Sequence, residues 1–140
     1  MGYKTPAKLC FSVGSSGFNP IDATTYNFSS YHASTPSTTI IGHQMVVPQN
    51  GTICCVDVTG FAGTVTGTNE ALSLYVRVND TTNYLVETVS AATVNRFWRN
   101  TNLNIPITTT DTFCLQLICP TWVTNPESLR FMGILVVNIE

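Results

Sequence analysis

Five cysteines, two histidines and eight carboxylates carry whatever reactive chemistry this chain of 140 residues has. The thiols are Cys10, Cys54, Cys55, Cys114 and Cys119. Zinc sites repeat pairs of cysteines set a few residues apart, because two thiolates must reach one tetrahedral ion from a single tight turn. Cys54 and Cys55 are adjacent, and Cys114 and Cys119 stand five positions apart, so neither spacing fits. On strands, the members of each pair point to opposite faces. The odd count leaves at least one thiol free. The cysteines read as small apolar core side chains, with one cross-sheet disulfide as the alternative. His32 and His43 are too few for a histidine-based metal site. Nothing in the spacing joins a cysteine and a histidine to the orienting partner that an activated nucleophile needs. Asp22, Asp57, Glu70, Asp80, Glu87, Asp111, Glu127 and Glu140 are isolated along the chain, whereas glycoside hydrolysis needs two carboxyls facing each other across a cleft. Asp80 and Asp111 fall in predicted turns, where Asp caps backbone N–H groups. No catalytic, cofactor-binding or metal-ligating residue is expected.

Contact chemistry is better represented than bond-breaking chemistry. The run Arg96-Phe97-Trp98-Arg99 combines residue types enriched at interface hot spots. Trp122, in a loop between Pro120 and Pro126, is a second exposed-ring candidate. Trp98, Arg99 and Trp122 are therefore the partner-contact candidates. The competing reading is that both indoles plug the ends of the fold, since a large aromatic serves packing more often than binding.

The composition limits what such contacts can be made with. Lys and Arg total 6 against 8 Asp and Glu, and charged residues are 10% of the chain. An ordinary soluble domain has about 25%. Six scattered basic residues cannot build a phosphate-binding surface, which argues against nucleic acid. The longest strongly apolar stretch, residues 131–137, is far too short to span a bilayer as a helix. The N-terminal MGYKTPAKLC has no apolar core of a signal peptide. Thr, Ser and Asn occur 22, 10 and 12 times and replace the missing charges. A surface so rich in short neutral polar groups suits packing against copies of itself or exposure outside a cell.

The elements that must position these residues are strands. Leu72, Leu74, Val76 and Val78 alternate with Ser73, Tyr75, Arg77 and Asn79, and a polar loop at 79–83 leads into an apolar run at 84–89, which predicts a hairpin. Further strands are expected at 40–47, 52–58, 113–119 and 129–139, with weaker candidates at 9–13, 25–31, 94–100 and 103–107. One helical turn at most is expected at 124–127, capped by Asn125 with Pro126 following. Eight or nine short strands at this spacing predict an all-β antiparallel sandwich of jelly-roll type. Residues 1–19 read as an N-terminal arm, hinged at Gly14-Ser15-Ser16-Gly17, and residues 20–140 as the domain.

The last strand is apolar on both faces. Phe131, Leu135, Val137 and Ile139 fall on one side, and Met132, Ile134 and Val136 on the other. A half-exposed strand would be polar on one of them. Met132, Ile134 and Val136 are therefore the candidates for a subunit interface. The alternative is a central strand capped by the chain's own loops.

The succession Val47-Pro48-Gln49-Asn50-Gly51-Thr52-Ile53, the hairpin strand Leu72 to Asn79, Asn104-Ile105-Pro106-Ile107, the turn at Asp111 and Phe113-Cys114-Leu115-Gln116-Leu117 resembles small jelly-roll domains on tailed-phage virions. It is also similar to the trimeric heads of the tumour-necrosis-factor and complement type. The likeness covers residues 20–140 through strand pattern and turn chemistry. Where such domains often carry Gly-Asp before the late strand, this chain has Thr109-Thr110-Asp111. The resemblance implies a homotrimer on the virion surface, assembled in the host cytoplasm. The expected function is thus a non-enzymatic bacteriophage structural protein, a capsid decoration or head-fibre protein. Its partners would be itself and other virion proteins such as the major capsid protein, with no cofactor. The alternative is a receptor-binding head that holds a host surface glycan.

Overall fold

Alternation of apolar and polar residues translates directly into strands with one buried face. The computed structural model describes residues 7–30, 35–63, 71–90 and 95–140. His32, Glu70 and the first six residues of the expected arm lie outside the described residues. Among the described residues nine strands follow in order: β1 (Ala7–Gly14), β2 (Thr25–Phe28), β3 (Gly51–Phe61), β4 (Ala71–Val78), β5 (Thr82–Ser90), β6 (Arg96–Asn100), β7 (Ile105–Ile107), β8 (Phe113–Ile118) and β9 (Arg130–Ile139). They form two antiparallel sheets with neighbours β1-β9-β3-β6 and β2-β8-β4-β5, and β7 pairs with the other end of β3. The molecule is a β-sandwich.

In β4, Leu72, Leu74 and Val76 are completely buried while Ser73, Tyr75 and Arg77 are half-exposed, as the alternation requires. Facing them across the sandwich are Ile53, Val56 and Val58 of β3 and Leu135 and Val137 of β9. Each such Leu, Ile or Val contributes about 1.5–3 kcal/mol relative to exposure, so this shared layer is the main force holding the sheets together. The β4–β5 hairpin is closed by a hydrogen bond from Thr81 N to Val78 O, with Asn79 and Asp80 both at positive φ, where these two residue types are tolerated best.

Two local expectations are corrected. Residues 40–47 are not a strand. Gly42 adopts φ 83°, and only Met45 joins a sheet, exchanging both backbone hydrogen bonds with Phe113. The left-handed glycine breaks the extended run, which separates exposed Ile41 from buried His43 and Met45. Residues 124–127 form no helical turn. Asn125 Nδ2 donates to Pro20 O and Asn19 Oδ1 accepts from Ser128 N, so side chains bond the backbone in place of a helical ladder. The strand expected at 9–13 is present as the edge strand β1, paired to β9 along its whole length from Ala7↔Ile139 to Gly14↔Met132.

Candidate functional site

The residues with chemistry are distributed in a way that leaves one sheet face as the site. All five cysteines are free thiols. Cys114 and Cys119 are buried, and loss of solvent pushes both thiols up to about 12, well away from nucleophilic use. Cys54 and Cys55 do not take opposite faces. A register shift in the β3–β9 pairing between Ile53 and Cys55 inserts one extra residue, and both side chains end half-exposed. Cys10 is exposed, opposite Val136 on β9, and Val136 in turn faces Cys55 on β3. No group of three or more His, Cys, Asp or Glu positioned to hold a metal ion occurs among the described residues. Buried His43 has its Nδ1 without a hydrogen-bond partner among the described residues, and desolvation holds its pKa below the ordinary imidazole value.

Two of the three partner-contact candidates are core residues. Trp98 is 1% exposed, donates from Nε1 to Leu72 O at 2.8 Å and packs edge-on against Phe131 with centroids 5.4 Å apart. It occupies an inward position on β6, opposite Val58, so the competing reading of this ring as packing is the correct one. Trp122 is also buried, with its backbone N–H held by Asp22 Oδ1 at 3.2 Å. Only Arg99 faces outward, where its Nε donates to Asp57 Oδ2 at 2.9 Å and its guanidinium lies 5.4 Å from the Phe97 ring centroid.

That outward position belongs to a continuous surface. Register places Thr59 between Phe97 and Met132, Asp57 between Arg99 and Ile134, and Phe61 beside Arg130. Met132 is 66% exposed, Phe97 50%, Ile134 40% and Phe61 37%, while Val136 is half-buried. The outer face of the β1-β9-β3-β6 sheet is thus an apolar strip along a central strand, bordered by arginines that lie over aromatic rings. No described part of the chain covers Met132 or Ile134 enough to bury them. Sequence reasoning found the β9 members of this strip and singled out the run that contains Phe97, though it named Trp98 and Arg99 as the contacts, and it missed Phe61. The two-residue spacing of Phe97 and Arg99 signals a shared strand face.

The side of the other sheet away from the core carries the opposite chemistry, in a row of amides of which Asn27 and Gln116 are themselves buried. Asn27 Nδ2 donates to Ser37 O at 3.2 Å, Gln116 Nε2 to Asn27 Oδ1 at 3.0 Å, Asn83 Nδ2 to Gln116 Oε1 at 2.9 Å, and Arg77 Nη1 to Asn83 Oδ1 at 3.0 Å. This row of amides crosses the sheet with its polar atoms satisfied within the chain. No known family and no curated protein matches this chain.

Proposed function

We propose that this chain is a non-enzymatic structural protein that works by self-association through the outer face of the β1-β9-β3-β6 sheet. The observation that carries the reading is the exposure of Met132 and Ile134 on the internal strand β9, together with Phe97 on the edge strand β6 of the same sheet. An apolar strip on a central strand, bordered by Arg99 with Asp57 and by Arg130, has the layout of an interface core with a polar rim. The low charge content of 10% suits a surface that is packed rather than kept apart by repulsion.

The assembly is a homotrimer and the setting a bacteriophage particle, as capsid decoration or head fibre. Support comes from the resemblance in strand and turn pattern, and from the strand orders β1-β9-β3-β6 and β2-β8-β4-β5. Those orders fit a jelly roll, since the chain passes repeatedly from one sheet to the other before its last strand inserts between β1 and β3. The glycan-binding alternative loses the two indole platforms on which it stood, because Trp98 and Trp122 are buried.

Light scattering coupled to gel filtration tests the assembly. The expected mass is that of three 15.2-kDa chains, and Met132→Asp or Ile134→Asp should reduce it to one chain with an unchanged far-ultraviolet circular dichroism spectrum. A wild-type mass of 15.2 kDa at working concentration overturns the proposal. Immunogold labelling of particles from cells producing the chain tests the setting, with label expected on the outside of the shell or its fibres.

A further inference from the structure

Arg130 opens β9 and stands opposite Phe61 in the β3–β9 register, with its guanidinium carbon 5.9 Å from the ring centroid. Arg77 and Arg99 have carboxylate partners, Asp80 at 3.3 Å and Asp57 at 2.9 Å, whereas Arg130 forms no ion pair among the described residues. Beside it lies a half-open cleft of about 300 Å³, lined by Ser16, Thr59, Phe61, Asn95, Arg130 and Met132.

The cleft is built on fixed parts. Ser15 N donates to Phe131 O at 3.0 Å, and Phe131 N donates to Ser15 Oγ at 3.2 Å. Phe18 and Leu129 exchange backbone hydrogen bonds at 3.0 and 2.9 Å, so the wall after β1 is tied to the start of β9 at two places. Phe131, which also lines the cleft, is 1% exposed, stacked on Phe28 at 5.3 Å and edge-on to Trp98 at 5.4 Å.

Arg130 is the only charged side chain among the described residues of this lining, which gives them a positive charge in a chain of net charge −2. Its other polar groups are neutral: the hydroxyls of Ser16 and Thr59 and the amide of Asn95. We propose that the cleft binds a carboxylated sugar unit. The guanidinium fork takes the carboxylate, the hydroxyls and the amide take ring hydroxyls, and Phe61 with Met132 covers the C–H face of the ring. An α-amino acid fits these groups less well, because no carboxylate occurs among the described residues of the lining to receive its ammonium group. The volume suits one sugar ring, such as a residue of an acidic polysaccharide.

Phe61, Arg130 and Met132 border both this cleft and the self-association face, so binding is also read on Ile134→Asp, whose substitution breaks self-association and lies outside the cleft. Mass and ligand binding are therefore read on the same sample, so that either idea can fail alone. The experiment is a two-dimensional NMR titration of the full chain with glucuronate, galacturonate and N-acetylneuraminate, against glucose as the neutral control. At least one acid should shift the amides of Ser16, Thr59 and Arg130 with an affinity in the millimolar range, with glucose much weaker. Arg130→Ala should weaken binding roughly ten- to a hundredfold, as expected for loss of a charge-assisted hydrogen bond. Arg130→Lys should retain part of it, and Arg77→Ala, on the other sheet, should leave it unchanged. Absence of shifts with all three acids, equal binding of glucose, or full binding by Arg130→Ala overturns the proposal.

Discussion

Trp98 shows how one side chain is decided by its neighbours across the sheet. Gly60 on β3 pairs with Arg96 on β6, and a Cβ on Gly60 would run into the Trp98 ring atoms Cζ3 and Cη2. The missing side chain of one residue is the space occupied by the indole of another. Gly60→Ala should therefore cost about 1–3 kcal/mol through overpacking. Trp98→Phe should cost about 2 kcal/mol through the lost hydrogen bond to Leu72 O and the lost ring contacts. Because Phe lacks the two clashing atoms, the double variant should be more stable than the sum by about 1 kcal/mol, measurable by a urea-denaturation cycle. Asp111 gives a second single-residue test. Its carboxylate accepts from Asn79 Nδ2, from Thr108 N and from Thr108 Oγ1, and these bonds, that from Asn79 first, hold its pKa below the ordinary carboxylate value. A depressed folded-state pKa means the contribution is fully present above about pH 4 and is lost as the pH falls through the folded value. The denaturation midpoint should fall on acidification below about pH 4, and Asp111→Asn should flatten part of that fall while lowering the midpoint at neutral pH.

Among the elements, β9 does the most, since it pairs with β1 on one side and β3 on the other and carries the exposed strip on its outer face. Gly133 permits that close approach. A Cβ there would strike the Asp57 carbonyl oxygen and lie 2.6 Å from Val58 Cα, both backbone atoms that cannot rotate away. Gly133→Ala should destabilise by about 3 kcal/mol, and Gly17→Ala, where a Cβ meets open space, should change stability by no more than about 0.5 kcal/mol; thermal melts separate the two. The strand β4 was legible because its period-2 pattern is local and each face meets a single environment, and β8 and β9 because each is a short continuous run of mainly apolar residues. The β3 bulge was not legible, because one extra residue at Cys54 and Cys55 alters no composition and is defined only by the β9 register. The failure at residues 40–47 has a similar origin: apolar side chains alternate there, but the backbone at Gly42 turns out of the extended region. The outward set Met132, Ile134 and Val136 was readable from strand phase alone. That Trp98 points inward while Phe97 and Arg99 point outward depended on a phase that the short β6 could not declare by itself.

For the molecule as a whole, the two outer faces answer the same problem in different ways. Asn27, Gln116, Asn83 and Arg77 satisfy one another across β2-β8-β4-β5, where Leu85 on the edge strand β5 is the exposed large apolar side chain. Across β1-β9-β3-β6 the corresponding row offers Phe97, Met132 and Ile134, whose exposure is unfavourable in water and relieved by contact with another apolar surface. A lone chain therefore holds its sandwich together through the inner layer but leaves part of its hydrophobic stabilisation unrealised. If copies of the chain supply the missing contact, stability must depend on concentration by mass action, because association removes folded chains from the unfolding equilibrium. Calorimetry should show the unfolding midpoint rising by about 3 °C for each tenfold increase in protein concentration. In Ile134→Asp the midpoint should be independent of concentration and should match that of the wild type extrapolated to high dilution, since Ile134 contributes nothing to the inner layer.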